Sequence, residues 1–354
     1  MSIIEKSKAV GVAGLVLGTF GVLAMTASTA SAADFYKGKQ ITCYSSGSGS
    51  YMAYARYVGK YMTKYIPGNP TWVSKEMRGA SGLKLANFMA KKAKKDGTEM
   101  AVIHGHILTT PLFSSRKIAY KVEELNWLGS ATKEVFISYL WNGSTKARSM
   151  ADLKTMPTKM GGQAVGSFSI DMAILAKKFM GLDKMKILTG YRGSSRARLA
   201  MERGEITGVM GTSYTAVKRS KPKWLSEGKV TILAHMAQKP DARMPGVPPM
   251  GTLIKDPDQR AAYNLYNARS DTGKPFFTAP GVPKKRVAIL RAAFEKVIRD
   301  PAFIAEVQKG SLEVIEPMTG AQVQAFVGDV RKIATKKAVK ILNNAWGSFA
   351  DQKM

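Results

Sequence analysis

The chain has 354 residues, with 54 Lys and Arg against 25 Asp and Glu, a formal charge of +29 and a single cysteine. One cysteine excludes an internal disulfide framework, and the length gives roughly two domains' worth of chain. So positive a charge would suggest nucleic acid in a cytosolic protein, but the first residues point to export and so argue against that partner.

Lys6 and Lys8 precede an uncharged stretch from Ala9 to Met25, and Ala30-Ser31-Ala32 stands before Ala33. This is the three-part pattern of a signal peptide over 1–32. The apolar stretch is short for a spanning helix and is weakened by Gly11, Gly14, Gly18 and Gly21. The chain beyond it is expected to be soluble, periplasmic and monomeric. Its basic residues are spread along the sequence, as at Lys91, Lys92, Lys94 and Lys95 or Lys284, Lys285 and Arg286, and read as a solvated surface whose field attracts small anions.

From Gln40 the pattern alternates: a strand over 41–44, a helix over 52–65, a strand over 71–75, a helix over 83–93 and a strand over 100–103. In the first helix Tyr51, Ala55, Val58, Met62 and Tyr65 recur at helical spacing, while Arg56, Lys60 and Lys64 take the other face. Cys43 falls in the first strand, where a buried, inert thiol is expected. Strands over 126–130 and 135–141 follow in succession, then a capping-box-like helix start at Ser149-Met150-Ala151-Asp152. A second α/β unit has a strand near Met160, a helix over 170–180 closed by Gly181 and a strand over 186–188. It continues with a helix over 195–203 closed by Gly204 and strands over 206–210 and 230–234. After the proline-rich 240–249 come a helix around Ala261, an extended run near Phe276, and helices over 284–299, 302–309 and 322–344. Alternation of this kind predicts βαβ units and a parallel sheet, and the simplest arrangement is two α/β lobes, the last helices returning to the first lobe.

Three Gly- and Ser-rich segments stand between a predicted strand and a predicted helix. They are Ser45-Ser46-Gly47-Ser48-Gly49-Ser50-Tyr51, then Gly161 through Val165-Gly166-Ser167-Phe168-Ser169, and Gly190-Tyr191-Arg192-Gly193-Ser194-Ser195. Helix starts carry unpaired N–H groups and a partial positive charge, and glycine lets an anion approach that backbone. None of the three has the Gly-Lys-Ser/Thr ending of a phosphate loop or the spacing of a dinucleotide fingerprint, so no nucleotide cofactor is expected. Arg192 is the one cation within these loops and suits a carboxylate; Arg78 reads as a brace for a turn. His104-Gly105-His106 has no carboxylate or cysteine nearby in sequence and reads as loop histidines of a polar cleft, without a metal. No nucleophile elbow and no paired carboxylates occur in the loops, so no catalytic residue is assigned.

The order of short words along the mature chain resembles the Bug-type (TctC-like) solute-binding proteins of tripartite tricarboxylate transporters. These words are Phe35-Tyr36-Lys37-Gly38-Lys39-Gln40-Ile41, Tyr54-Ala55-Arg56, Gly79-Ala80-Ser81-Gly82, Lys95-Asp96-Gly97-Thr98, Thr189-Gly190-Tyr191, Met201-Glu202-Arg203-Gly204-Glu205 and Ala279-Pro280-Gly281-Val282-Pro283. The resemblance implies an α/β, type II periplasmic-binding-protein fold whose two lobes are joined by two crossing strands and close like a Venus flytrap. Lobe 1 would comprise 33–131 and 270–354, and lobe 2 132–269.

It further implies a small organic carboxylate as ligand, with membrane permease subunits or a sensor kinase as partner. The match places the ligand against Ser46, Gly47, Ser48, Gly49, Ser50 and Tyr51, and against Val165, Gly166, Ser167, Phe168 and Ser169. Ser81, His104, Arg192, Ser194, Thr212, Ser213 and Tyr214 complete the expected pocket. Met52 stands where relatives commonly carry an aspartate, which disfavours an amine-bearing ligand. Arg192 stands where they have proline or lysine, which favours a second anionic group.

Overall fold

The computed structural model describes residues 34–113, 118–191 and 193–351, the last four as backbone only, so the predicted signal peptide and Arg192 lie outside the described residues. The first unit runs β1 (Gln40–Ser45), α1 (Ser50–Tyr65), β2 (Thr71–Glu76), α2 (Leu83–Lys91), β3 (Glu99–Val102), the short α3 (Thr110–Phe113) and β4 (Asn126–Ser130). The second has β5 (Phe136–Trp141), β6 (Thr158–Gly161), α4 (Phe168–Met180), β7 (Met185–Leu188), α5 (Ser194–Glu202) and β8 (Gly208–Ser213). It continues with the short α6 (Tyr214–Ser220) and α7 (Pro222–Ser226), then β9 (Val230–His235) and α8 (Pro257–Asn267). The chain returns through β10 (Pro275–Thr278), α9 (Lys284–Arg299), α10 (Pro301–Lys309), β11 (Met318–Thr319), α11 (Gly320–Ile333) and α12 (Lys336–Asp351).

Two sheets result, of order β11-β4-β10-β3-β1-β2 and β7-β6-β8-β5-β9. β1 pairs in parallel with β2 and β3, and β6 with β7 and β8, but β10, β11 and β5 run antiparallel to their neighbours, so both sheets are mixed and not parallel as the alternation predicts. Each sheet is covered on both faces, and the two-residue period of a strand distributes its side chains accordingly. Met100 and Val102 join one core cluster of the first sheet and Ala101 and Ile103 the other, as do Phe276 and Phe277. In the second sheet Leu140 and Met210 face one core, Tyr139 and Val209 the other. Cys43 is fully buried, and that burial pushes its thiol pKa up, so it is inert packing.

The chain passes between the sheets as two antiparallel segments, 131–135 and 268–274. They are pinned to each other by Ala131 N–H to Lys274 O (3.1 Å), Lys274 N–H to Thr132 O (3.3 Å) and Glu134 N–H to Ser270 O (3.1 Å). Their ends are anchored in the cores of the two units, Ala131 in the first and Val135 and Ala268 in the second, and such a pair of crossings is where a hinge can act.

Two expectations need correction. The helix predicted from Ser149 is only a single 3₁₀ turn over Asp152–Lys154. The reciprocal contacts of Ser149 and Asp152 do form, at 3.0 and 3.2 Å, but Thr155-Met156-Pro157 follows and proline cannot continue a helix. The single helix predicted over 322–344 is two, broken at Ala334-Thr335, where Thr335 Oγ1 accepts the Ala338 N–H (3.1 Å) and starts α12 afresh. The break redirects the chain. α11 packs on β4 of the first sheet, whereas α12 packs on α8 and α4 of the second, placing Ala338, Leu342 and Ala345 in that core. The last helix therefore does not return to the first lobe and makes a third passage between the two sheets.

Candidate binding cleft

The three Gly- and Ser-rich loops lie at the carboxyl ends of β1, β6 and β7, the end of an open α/β sheet where ligands sit. Their residues separate into distinct environments. Ser46 is buried, with its Oγ 2.9 Å from His104 Nδ1, and Ser45 Oγ donates to Gly47 O at 2.6 Å, so the first loop is tied to its own lobe. Gly49 takes φ 67° just before α1, a turn that needs glycine. Tyr51 packs on His104 with ring centroids 4.1 Å apart and planes tilted by 40°, and it donates to Gly273 O at 3.2 Å, which joins the first loop to the hinge.

Ser50 and Ser213 meet across a cavity of about 30 Å³ with Glu134, Lys274 and Arg219, which has room for a water rather than a ligand. Its polar walls are already engaged: Lys274 pairs with Glu134, and Ser213 Oγ donates to the other Glu134 oxygen at 2.5 Å. This cavity belongs to the hinge. Thr212 is buried at the end of β8, and Tyr214 carries the Arg243 guanidinium over its ring at 5.4 Å.

A second cavity, of about 500 Å³, opens between the sheets and is of ligand size. Ser81, Val165, Gly166 and Ser167 line it, and with them Asp171, Tyr266, Arg269 and Trp346, which sequence reasoning did not single out. The approach of Ser81 depends on Ala80 and Ser81 both holding left-handed φ, 45° and 54°, a strained backbone for non-glycine residues. Ser48, Ser169 and Ser194 face neither cavity; the Ser169 hydroxyl lies against Gly162. The third loop pairs with the second instead, through Gly190 N–H to Gln163 O (2.8 Å) and Tyr191 N–H to Gly162 O (3.1 Å).

Within the large cavity the electrostatics centre on Arg269. Its Cζ lies 4.3 Å from the Phe168 ring centroid and 3.9 Å from that of Tyr266, a pair of cation–π contacts that fixes the guanidinium plane. Phe168 thus contributes through Arg269. Nε and Nη2 of Arg269 are buried with no hydrogen-bond partner, and among the described residues no carboxylate is within ion-pairing distance of it. The nearby Asp171 is already engaged by the Tyr266 hydroxyl and by the Gly166 N–H (2.7 Å). Burial raises the Asp171 pKa, with Tyr266, Arg269 and the Gly166 amide acting against the rise. Tyr266 is raised well above its usual value by burial and by Asp171, so it stays a neutral donor.

The Gly166 amide is therefore not available to a ligand. Phe168, Ser169 and Ile170 at the start of α4 keep N–H groups that have no intrahelical acceptor. A guanidinium that touches Tyr266 but keeps two unpartnered N–H groups beside a helix start suits an anion, since buried donors and charge are costly until paired.

The two loop histidines carry no charge to the cleft. Burial lowers the His104 pKa to about 4, helped by the Lys274 charge, and burial together with His104 holds His106 well below the usual histidine range. Among the described residues no carboxylate hydrogen-bonds the His104 imidazole, and burial suppresses its basicity, so the Ser46 and His104 contact lacks the orienting group that an activated nucleophile uses. Among the described residues no group of three metal-ligating side chains comes together, and no helix is long and apolar enough to cross a membrane.

The family model described as a tripartite tricarboxylate transporter family receptor matches residues 55–343. Among solved structures, periplasmic binding protein BugD superposes with a TM-score of 0.63 at 16% identity, over 88% of this chain and 98% of that one. A Rhodopseudomonas palustris protein solved with adipate gives 0.61 at 18% identity, over 85% and 97%. MatC from the same organism, solved with malate, gives 0.61 at 16%, over 87% and 99%. At such identities the likeness shows the fold, that of the periplasmic binding proteins. A comparison with curated proteins finds no match.

Proposed function

The chain belongs to the tripartite tricarboxylate transporter receptor family, and from that premise we propose that it captures a small organic carboxylate between its lobes and presents it to membrane permease subunits. The observation that carries this reading is Arg269, whose buried Nε and Nη2 lack partners within a ligand-sized cavity walled by both sheets. The fold neighbours solved with adipate and malate support a carboxylate as the ligand class.

In this reading residues 1–32 direct export to the periplasm and are removed. Lobe closure is a hinge motion of 131–135 and 268–274, the ligand carboxylate bridging Arg269 and the start of α4. No chemistry is done on the ligand. Permease presentation and receptor signalling share this capture step.

A thermal-shift screen of mono-, di- and tricarboxylates tests the proposal, because a ligand that binds only the folded state raises the melting temperature by mass action. At least one acid is expected to stabilise the protein and to be recovered unchanged. Silence across the panel would refute carboxylate capture, and consumption of the acid would make the protein an enzyme.

A further inference from the structure

The third passage between the sheets brings one more polar group to the cavity. Trp346 of α12 lines it, with its ring 5.5 Å from Phe113 of the first unit and 5.2 Å from Tyr266 of the second, both edge-to-face. Phe113 and Tyr266 are themselves 6.2 Å apart, so the three rings form an apolar corner contributed by three separate parts of the chain. Trp346 Nε1 is buried and has no hydrogen-bond partner among the described residues.

An indole N–H can only donate, so it needs an acceptor. Arg269 is likewise donor-only, and it packs on the same Tyr266 ring at 3.9 Å. Both side chains thus contact the Tyr266 ring, while among the described residues the carboxylate lining this cavity, Asp171, is engaged by Tyr266 and Gly166.

Resting on the carboxylate-capture reading, we propose that Trp346 is a specificity-determining residue that selects acids whose apolar, ring-sized body ends in a second hydrogen-bond acceptor. The acid group meets Arg269, the body lies against the corner of Phe113, Tyr266 and Trp346, and the distal acceptor takes the indole N–H. An acid with a purely apolar far end leaves the buried indole N–H unpaired and forgoes the bond that an acceptor would make.

The experiment is isothermal titration of the mature protein with 4-acetylbenzoate and 4-isopropylbenzoate. These acids are close in shape and differ in a carbonyl acceptor at the far end. The native protein is expected to bind the acetyl compound roughly five- to tenfold more tightly, the value of one net hydrogen bond. Trp346→Phe, which keeps an apolar ring, is expected to abolish that preference while leaving the affinity for 4-isopropylbenzoate within about twofold.

The ligand pair tests the native protein without relying on the variant's folding, and the variant's melting temperature is measured alongside. Equal affinities in the native protein would overturn the proposal, as would a preference that survives in Trp346→Phe. Binding of succinate or another short aliphatic acid with no binding of either aryl acid would overturn it while leaving carboxylate capture standing. Failure of every acid would remove both.

Discussion

Lys274 and Glu134 form an ion pair between the two segments that carry the chain from sheet to sheet, with Lys274 only 1% exposed. Burial alone would lower the lysine pKa, but Glu134 outweighs it and the ammonium is held charged. The Tyr51 ring lies 4.3 Å from that ammonium, so the hinge charge also braces the first loop. Glu134→Gln leaves a buried cation without its counter-ion and is expected to destabilise the fold by about 3–5 kcal/mol. Adding Lys274→Met should restore most of that loss. Urea unfolding of the single and double variants checks both steps, and an unrecovered double variant would show that the pair does more than neutralise itself.

Acid should loosen the cleft before it unfolds the lobes. His104 and His106 have folded pKa values depressed below their unfolded values, His104 to about 4. The unfolded chain therefore binds more protons below about pH 6.5, so their contribution is present above that pH and is lost as pH falls towards about 4. Asp171, raised by burial, has the opposite sign, its contribution being lost as pH rises through its folded value. The clean readout is the difference between native protein and His104→Gln. The variant is expected to lose less stability between pH 6.5 and 4.5, each unit of histidine displacement being worth about 1.4 kcal/mol. Parallel stability profiles would contradict the assignment.

Gly105 ties the histidine turn to the hinge by contact. A Cβ on it would sit 2.3 Å from both Arg269 O and Thr272 O, where the backbone of the second crossing segment cannot retreat without moving Arg269. Gly105→Ala is expected to cost about 1–3 kcal/mol and to weaken acid binding as well. A calorimetric titration beside a urea melt checks this, and a stability loss with unchanged affinity would show that the turn is coupled to the fold but not to the site.

The fold was largely legible in the sequence because two-residue and 3.6-residue periods are local signals. The strand at 126–130 and the helix at 284–299 were read to the residue, and Gly181 and Gly204 closed their helices with φ 65° and 76°. What escaped was set by tertiary contact. The apolar spacing of 322–344 runs through the break at Ala334-Thr335, since both α11 and α12 bury one face, and nothing local says that these faces meet different sheets. The cleft was legible in part. Glycine and serine marked the loop around Gly166 and the turn at Ser81, because backbone approach has a compositional signature. Arg269 has none: it follows a helix end among ordinary residues, and its role arises only where Phe168 and Tyr266 hold it against the cavity. Trp346 reads in sequence as one more apolar position on an amphipathic helix.

The account depends most on Arg269 serving a ligand rather than the fold, and those roles make opposite demands on one substitution. Arg269→Leu removes two buried donors that have no partner among the described residues, a gain that offsets the loss of its two cation–π contacts, so stability should change by less than about 2 kcal/mol. Affinity for the acid identified by thermal shift should fall roughly 10- to 100-fold, the value of a charge-assisted hydrogen bond. The decisive measurement is an isothermal titration of that acid into native and Arg269→Leu protein, with melting curves recorded on the same samples. Lost affinity with preserved stability is the predicted result. Unchanged affinity would contradict it.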